Sequence, residues 1–244
     1  RPFKTCIYAQ EKPPAALLKY AKNKSVNLLI HNNDYRVNLG SSNWSLKSKN
    51  NSIDEIPNPK MIGDYQYNYA AASLLALDAL LPECLEDHDV IKKALSETEI
   101  SGRFQYLSKS PDIILDVAHN EDAARSLSDN IKKIGYDKII VVLGVLADKD
   151  VYSIVEPFSS LVDHWYIGTI NSERGMNSDE IKFRINSIYK NKLSIGTYTS
   201  VTSAFNAAKY NQMKDSLLLV FGSFYTVSEA LKAHLLEHKK GNAI

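Results

Sequence analysis

The chain has 244 residues, 44% of them hydrophobic, and a formal net charge of +1, so it can bury one large core or two smaller ones and carries no charge excess to draw nucleic acid. Cys6 and Cys84 stand far apart, without the second pair that a zinc site needs or the framework of a disulfide-rich fold, which suits a reducing cytoplasm. The longest apolar runs, such as Leu217 to Phe221, are strand-length, well short of the roughly 20 residues that cross a bilayer, and no signal peptide opens the chain.

Thr5 to Tyr8 and Val26 to Ile30 are short apolar runs joined by Pro13-Pro14 and a helical stretch, Ala15 to Ala21, which together read as strand, helix, strand. Tyr35 to Leu39 and Trp44 to Lys47 flank Gly40-Ser-Ser-Asn43 as a hairpin with a longer loop. The basic residues from Lys47 to Lys49 sit among Ser and Asn and read as a solvated loop. Pro57 and Pro59 break the chain, Tyr69 to Leu81 is an Ala- and Leu-rich helix expected to be buried on most sides, and Val90 to Ser96 gives a second helix.

After Ser101 the rhythm becomes regular. Strands at Ile113 to Leu115, Lys138 to Leu143, His164 to Ile167 and Leu217 to Phe221 alternate with helices at Glu121 to Ile134, Asp179 to Tyr189, Val201 to Lys209 and Tyr225 to Leu236. Such alternation predicts parallel strands linked by right-handed crossovers. Asn120 is a favoured N-cap, Gly135 stands where a left-handed C-terminal cap belongs, Asn177 with Glu180 resembles a capping box, and Ser200 and Ser223 precede later helices. The domain boundary is placed between residues 99 and 100.

An open parallel sheet gathers ligand contacts at the carboxyl ends of its strands. The residues there are Asp116, His119 and Asn120, then Gly144 to Asp150, Gly168 to Gly175, and Gly222-Ser223-Phe224. Asp116 at a strand end suits a pair of ribose hydroxyls, and Arg103 offers a planar, permanently charged fork for phosphate oxygens. His119 suits orienting a carboxylate or relaying a proton, against the plainer role of packing and capping. Lys149, between Asp148 and Asp150, reads as a surface ion pair. The remaining histidines, His31, His88, His164, His234 and His238, do not cluster, and no metal site is read from this chain.

Six segments in order carry a resemblance: Ser-Gly-Arg-Phe-Gln at 101–105, Ile-Ile-Leu-Asp-Val-Ala-His-Asn at 113–120, Gly-Val-Leu-Ala-Asp-Lys-Asp at 144–150, Asp-His-Trp-Tyr at 163–166, Glu-Arg-Gly at 173–175 and Gly-Ser-Phe-Tyr-Thr-Val at 222–227. They resemble the bifunctional dihydrofolate synthases and folylpolyglutamate synthases of the Mur ligase superfamily. The resemblance implies an α/β chain in which residues 100–244 form a Rossmann-like, mostly parallel C-terminal domain. Residues 1–99 are then the tail of a P-loop-type ATP-binding domain. It implies ligation of L-glutamate to dihydropteroate or folate, driven by ATP through an acyl phosphate; composition adds the expectation of a cytoplasmic protein with no nucleic-acid or membrane partner, and a monomer is the plainest expectation for its oligomeric state. Arg103 is expected to contact ATP phosphates across an interdomain cleft and Asp116 to hold the nucleoside. His119 and Asn120 are expected to face the reacting carboxylate or the incoming glutamate.

No Gly-x-x-x-x-Gly-Lys-Ser/Thr segment occurs in the chain. The phosphate loop, the Mg2+ ligands and a lysine that the family often carbamylates are therefore expected upstream of Arg1, and the chain alone is expected not to turn over ATP. The family's adenine-reading Asn falls on Tyr69, with Asn68 one place early. A Mur-type ligase of peptidoglycan precursors and a non-catalytic nucleotide-binding module are the competing readings, and the Gly-Ser-Phe-Tyr-Thr-Val and Asp-His-Trp-Tyr segments favour the folate branch.

Overall fold

The computed structural model describes residues 1–49, 51–190 and 192–241, and the chain divides into two compact units, Arg1–Glu99 and Ile100–Ile244. In the first, strand β1 (Thr5–Tyr8), helix α1 (Ala15–Asn23) and strand β2 (Asn27–Ile30) make the expected crossover, with β1 and β2 parallel. The predicted hairpin is two-thirds of an antiparallel meander: β3 (Tyr35–Leu39) and β4 (Asn43–Ser48) are joined by β5 (Ser52–Pro57). Helix α2 (Tyr65–Leu80) and helix α3 (His88–Glu97) bury Ala70, Ala71, Leu74, Leu75 and Ile91 in one cluster with Tyr35, Trp44, Leu46, Ile53 and Ile56 of the meander. Trp44 donates its indole N–H to the Pro57 carbonyl at 3.0 Å, so the large buried ring leaves no polar atom unsatisfied.

Two expectations for α2 need correction. It begins at Tyr65, one turn earlier than its Ala-rich stretch suggests, and it buries a single face: Tyr69 is 58% exposed and Leu80 76%. The helix packs on the β3–β4–β5 meander and on β1, which cover only the face that carries Ala70, Ala71, Leu74 and Leu75.

In the second unit six strands form one sheet: β6 (Gln105–Ser108), β7 (Asp112–Leu115), β8 (Ile139–Leu143), β9 (His164–Gly168), β10 (Ile195–Tyr198) and β11 (Leu217–Phe221), in spatial order β10-β9-β8-β11-β7-β6. All neighbours are parallel except β6, which runs antiparallel to β7 at the edge. Central β11 is the unbroken apolar run Leu-Leu-Leu-Val-Phe, with every residue fully buried, as a strand covered on both faces requires.

The helices are α4 (Glu121–Ile134), α5 (Val151–Val155), α6 (Ser178–Tyr189), α7 (Val201–Asn211) and α8 (Phe224–Gly241). Residues of α4, α5 and α6 share one core cluster and those of α7 and α8 share the other, so the sheet is doubly wound. Strand β11 feeds α8 onto the face opposite to the helices that follow its neighbours β7 and β8. A switch of this kind opens crevices at the carboxyl ends of these three strands.

The predicted caps at Asn120 and Gly135 are present: Asn120 Oδ1 accepts from the Ala123 amide at 3.0 Å, and Gly135 is left-handed with φ 79°. Asn177 caps α6 through the Asp179 amide, but the reciprocal capping box occurs instead at Ser200 and Ser203 of α7.

The turn after β11 is closed tightly against the end of β8. Gly222 has φ 116°, and a Cβ there would lie 2.4 Å from the Gly144 carbonyl oxygen. The same carbonyl accepts from the buried Thr226 hydroxyl at 2.8 Å. Gly135, by contrast, has open space where its Cβ would stand. Gly135→Ala should therefore cost only its left-handed strain, about 1 kcal/mol, whereas Gly222→Ala adds a backbone collision and should cost about 3 kcal/mol. Urea unfolding of the two variants measures this, and equal losses would contradict the close approach of the β8 and β11 ends.

Candidate functional site

Because β6 is antiparallel to β7, with Gln105 paired to Leu115, the turn that precedes β6 arrives beside the residues that follow β7. Arg103 is thereby brought to the same corner as Asp116, Val117 and Ala118, although the two motifs are separate in the sequence. His119 and Asn120 lie at the start of α4, and Gly222, Ser223 and Phe224 close the adjacent end of β11.

Asp116 is 5% exposed, and both of its carboxylate oxygens take backbone amides: Oδ2 accepts from Phe104 and Oδ1 from Ala118, each at 2.8 Å. The first of these bonds fastens the Arg103 turn to the end of β7, so the carboxylate that the sequence marked for a pair of ribose hydroxyls also accepts two backbone amides. Each oxygen keeps one further lone pair.

The turn itself is conformationally expensive. Gly102 has φ 73° and a Cβ there would meet Val117 at 2.8 Å, while Phe104, a bulky residue, has φ 44°. Holding a non-glycine residue in this region costs on the order of 1–3 kcal/mol and persists only where the surroundings impose it. They do so here with backbone and side-chain bonds: the Val117 amide donates to the Gly102 carbonyl at 2.8 Å, and Gln105 Oε1 accepts from the Gly102 amide at 2.9 Å and the Ser101 hydroxyl at 3.0 Å. Gly102 and Phe104 are buried, and Arg103 between them keeps a partly exposed side chain.

His119 is partly buried, with Nδ1 2.8 Å from the Val117 carbonyl. A carbonyl can only accept, so Nδ1 carries the proton and Nε2 is the nitrogen left for another partner. Its ring lies 6.3 Å from that of Phe224, which is 60% exposed. Asn120 is exposed, but its Oδ1 is committed to capping α4, which leaves the side-chain N–H2 for a ligand. Phe224 and Gln105 also belong to this corner: the sequence placed Phe224 on the rim of strand ends and Gln105 in the 101–105 segment, but assigned neither a role.

Elsewhere on the rim, Asp148 pairs with Lys149 at 2.9 Å and Arg174 at 3.3 Å, and the Lys149 hydrogen bond is the chief cause of a lowered Asp148 pKa. Of these, the exposed Asp148–Arg174 pair spans the loops after β8 and β9, alongside the bond from the Ala147 amide to the Arg174 carbonyl. Asn68 is partly buried in α2, and exposed Tyr69 packs edge-on against Tyr65. Among the described residues no group of three or more His, Cys, Asp or Glu side chains is placed to hold a metal ion, and no helix is long and apolar enough to cross a membrane. The His238 side chain lies outside the described residues.

Burial raises the Asp116 pKa above the usual 3.8, opposed by the amides of Phe104 and Ala118 and by the charge of Arg103. An acid raised in this way costs stability while ionised, and the cost is relieved as pH falls through its folded pKa toward its unfolded one. Asparagine does not titrate. The unfolding free energy of wild type minus that of Asp116→Asn should therefore be flat at neutral pH and rise as the pH is lowered toward about 4. Denaturant titrations across that range check this, and a difference that falls with acidification would contradict it.

The family described as Mur ligase, glutamate ligase domain, matches residues 102–224. The dihydrofolate synthase/folylpolyglutamate synthase of Escherichia coli strain K12 is 28% identical over 97% of this chain and 52% of its own length. The protein of that name from Buchnera aphidicola subsp. Baizongia pistaciae is 32% identical over 95% of this chain and 52% of its own. The solved structure of E. coli FolC in complex with DHPP and ADP superposes with a TM-score of 0.83 at 27% identity, covering 100% of this chain and 55% of that one. The chain thus spans about half the length of the relatives it matches. With the doubly wound sheet and the family match in agreement, the chain belongs to the Mur ligase family, its glutamate ligase domain lying at residues 102–224.

Proposed function

We propose that this chain is part of an ATP-dependent ligase that joins L-glutamate to dihydropteroate and to folates, a dihydrofolate synthase and folylpolyglutamate synthase. The observation that carries this reading is the locked turn at residues 101–105, fastened to the end of β7 through Asp116, whose carboxylate feels the charge of Arg103. The relatives' names support the activity, and the E. coli structure is of a protein bound to ADP and DHPP. Residues 1–99 are read as the C-terminal part of the ATP-binding domain and residues 100–244 as the Mur ligase C-terminal domain, working as a monomer in the cytoplasm.

In this reading ATP activates the pteroate or folate carboxylate as an acyl phosphate, and the glutamate amine displaces the phosphate. No protein nucleophile is needed, so the chain's contribution is positioning and charge neutralisation. Arg103 meets phosphate oxygens, for which a fixed planar fork is suited. Asp116 serves the nucleoside side through the turn it fastens and the lone pairs its oxygens keep. His119, with Nδ1 tied to Val117, offers Nε2 toward the incoming amine or the reacting carboxylate, and Asn120 offers its amide N–H2 beside it. A divalent cation would supply further neutralisation of phosphate charge, from ligands other than any cluster among the described residues.

The test is ADP release by the full-length protein supplied with ATP, L-glutamate and dihydropteroate. Arg103→Ala should lower kcat/KM for ATP by about 100-fold, the scale of losing one charge-stabilising donor, and the isolated 244-residue chain should show no turnover. Activity confined to a nucleotide-linked muropeptide, or an Arg103→Ala enzyme with unchanged kinetics, would contradict the reading.

A further inference from the structure

Resting on the nucleotide role of Arg103 given above, we propose that Gln105 is a positioning residue for it, holding the turn in the one conformation that presents the guanidinium. Gln105 is the first residue of β6 and its backbone is fixed by pairing with Leu115 of β7. From that anchored point its Oε1 reaches back over the turn and accepts two hydrogen bonds at once, from the Gly102 amide at 2.9 Å and the Ser101 hydroxyl at 3.0 Å. Asp116 grips the other side of Arg103 through the Phe104 amide at 2.8 Å.

The amides on either side of Arg103 are therefore each held by a side-chain oxygen, and the Arg103 amide itself donates to the Ile100 carbonyl at 3.1 Å. What this arrangement opposes is visible in the backbone: φ is 73° at Gly102 and 44° at Phe104, values from which a released turn would relax. A relaxed turn swings Arg103, whose usefulness lies in the direction of a rigid planar fork. The only chemical property Gln105 contributes is an acceptor oxygen at the end of a two-carbon stem. A glutamate carries the same oxygen at the same reach, and a methionine has similar length without it.

The experiment measures ATP affinity by titration calorimetry in the full-length protein for Gln105→Met, Gln105→Glu, Arg103→Ala and the double variant Gln105→Met/Arg103→Ala, with thermal midpoints recorded for each. Gln105→Met should weaken ATP binding by about 10-fold, Gln105→Glu should restore it to within about 2-fold of wild type, and Gln105→Met should cause no further loss once Arg103 is absent. Gln105→Met leaves the amide of buried Gly102 without its acceptor, so its thermal midpoint should fall modestly, while that of Gln105→Glu should stay near wild type. Losses that multiply in the double variant, or a Gln105→Glu protein as weak as Gln105→Met, would overturn the proposal while leaving the ligase reading intact. A wild-type protein that fails to bind ATP would overturn both.

Discussion

The corner on which everything else depends is made by one buried carboxylate. Asp116 sits at the end of β7 with 5% of its surface exposed, and it takes the amides of Phe104 and Ala118 at 2.8 Å each. Burying a charged carboxylate is costly unless its oxygens are satisfied by strong donors. Here the satisfaction comes from two backbone segments that would otherwise be independent, so the same bonds that offset the burial also join the motif before β6 to the motif after β7. A group that raises its own pKa by being buried is a poor choice for stability alone. Its position at a strand end, beside an arginine, suits a site in which geometry matters more than the energy of the fold.

The sheet supplies the rigidity that this corner borrows. β11, last in the sequence, is inserted between β7 and β8, and its helix leaves on the opposite face from theirs. The two clusters on either side of the sheet leave the strand ends no freedom to drift, and the close contact among Gly144, Gly222 and Thr226 pins the start of α8 against the end of β8. On the other side of β11 the Phe224 ring lies 6.3 Å from that of His119, whose tautomer is set by the backbone at Val117.

Much of this was legible in the chain. The apolar runs of β7, β8, β9 and β11 and the long amphipathic helices stand out because central parallel strands and core-facing helices must be apolar along their length or along one face. The elements that did not stand out share physical reasons. β6 and β10 are four-residue edge strands, half-buried throughout, and β10 contains a glycine. β5 has its inward residues, Ile53 and Ile56, three apart, because a register shift against β4 and a positive φ at Glu55 break the two-residue period. α5 is only five residues long. Missing β6 had the largest consequence for the site: without an antiparallel strand to turn the chain back, nothing in the sequence brings Gln105 and Phe104 to Asp116. Arg103, Asp116, His119 and Asn120 could be named from their motifs, but that Asp116 spends both oxygens on the backbone and that Asn120 spends Oδ1 on a cap are facts of pairing and burial.

Amide hydrogen exchange at Phe104 tests the central claim most directly. Phe104 lies in a turn, where amides ordinarily exchange through small local openings, yet its N–H is buried against the Asp116 carboxylate. If that carboxylate locks the two motifs together, the Phe104 amide exchanges as slowly as those of central β11, through opening of the whole unit. Exchange at the rate of a freely solvated loop would mean that the turn opens on its own and that Arg103 is not held in place by the fold.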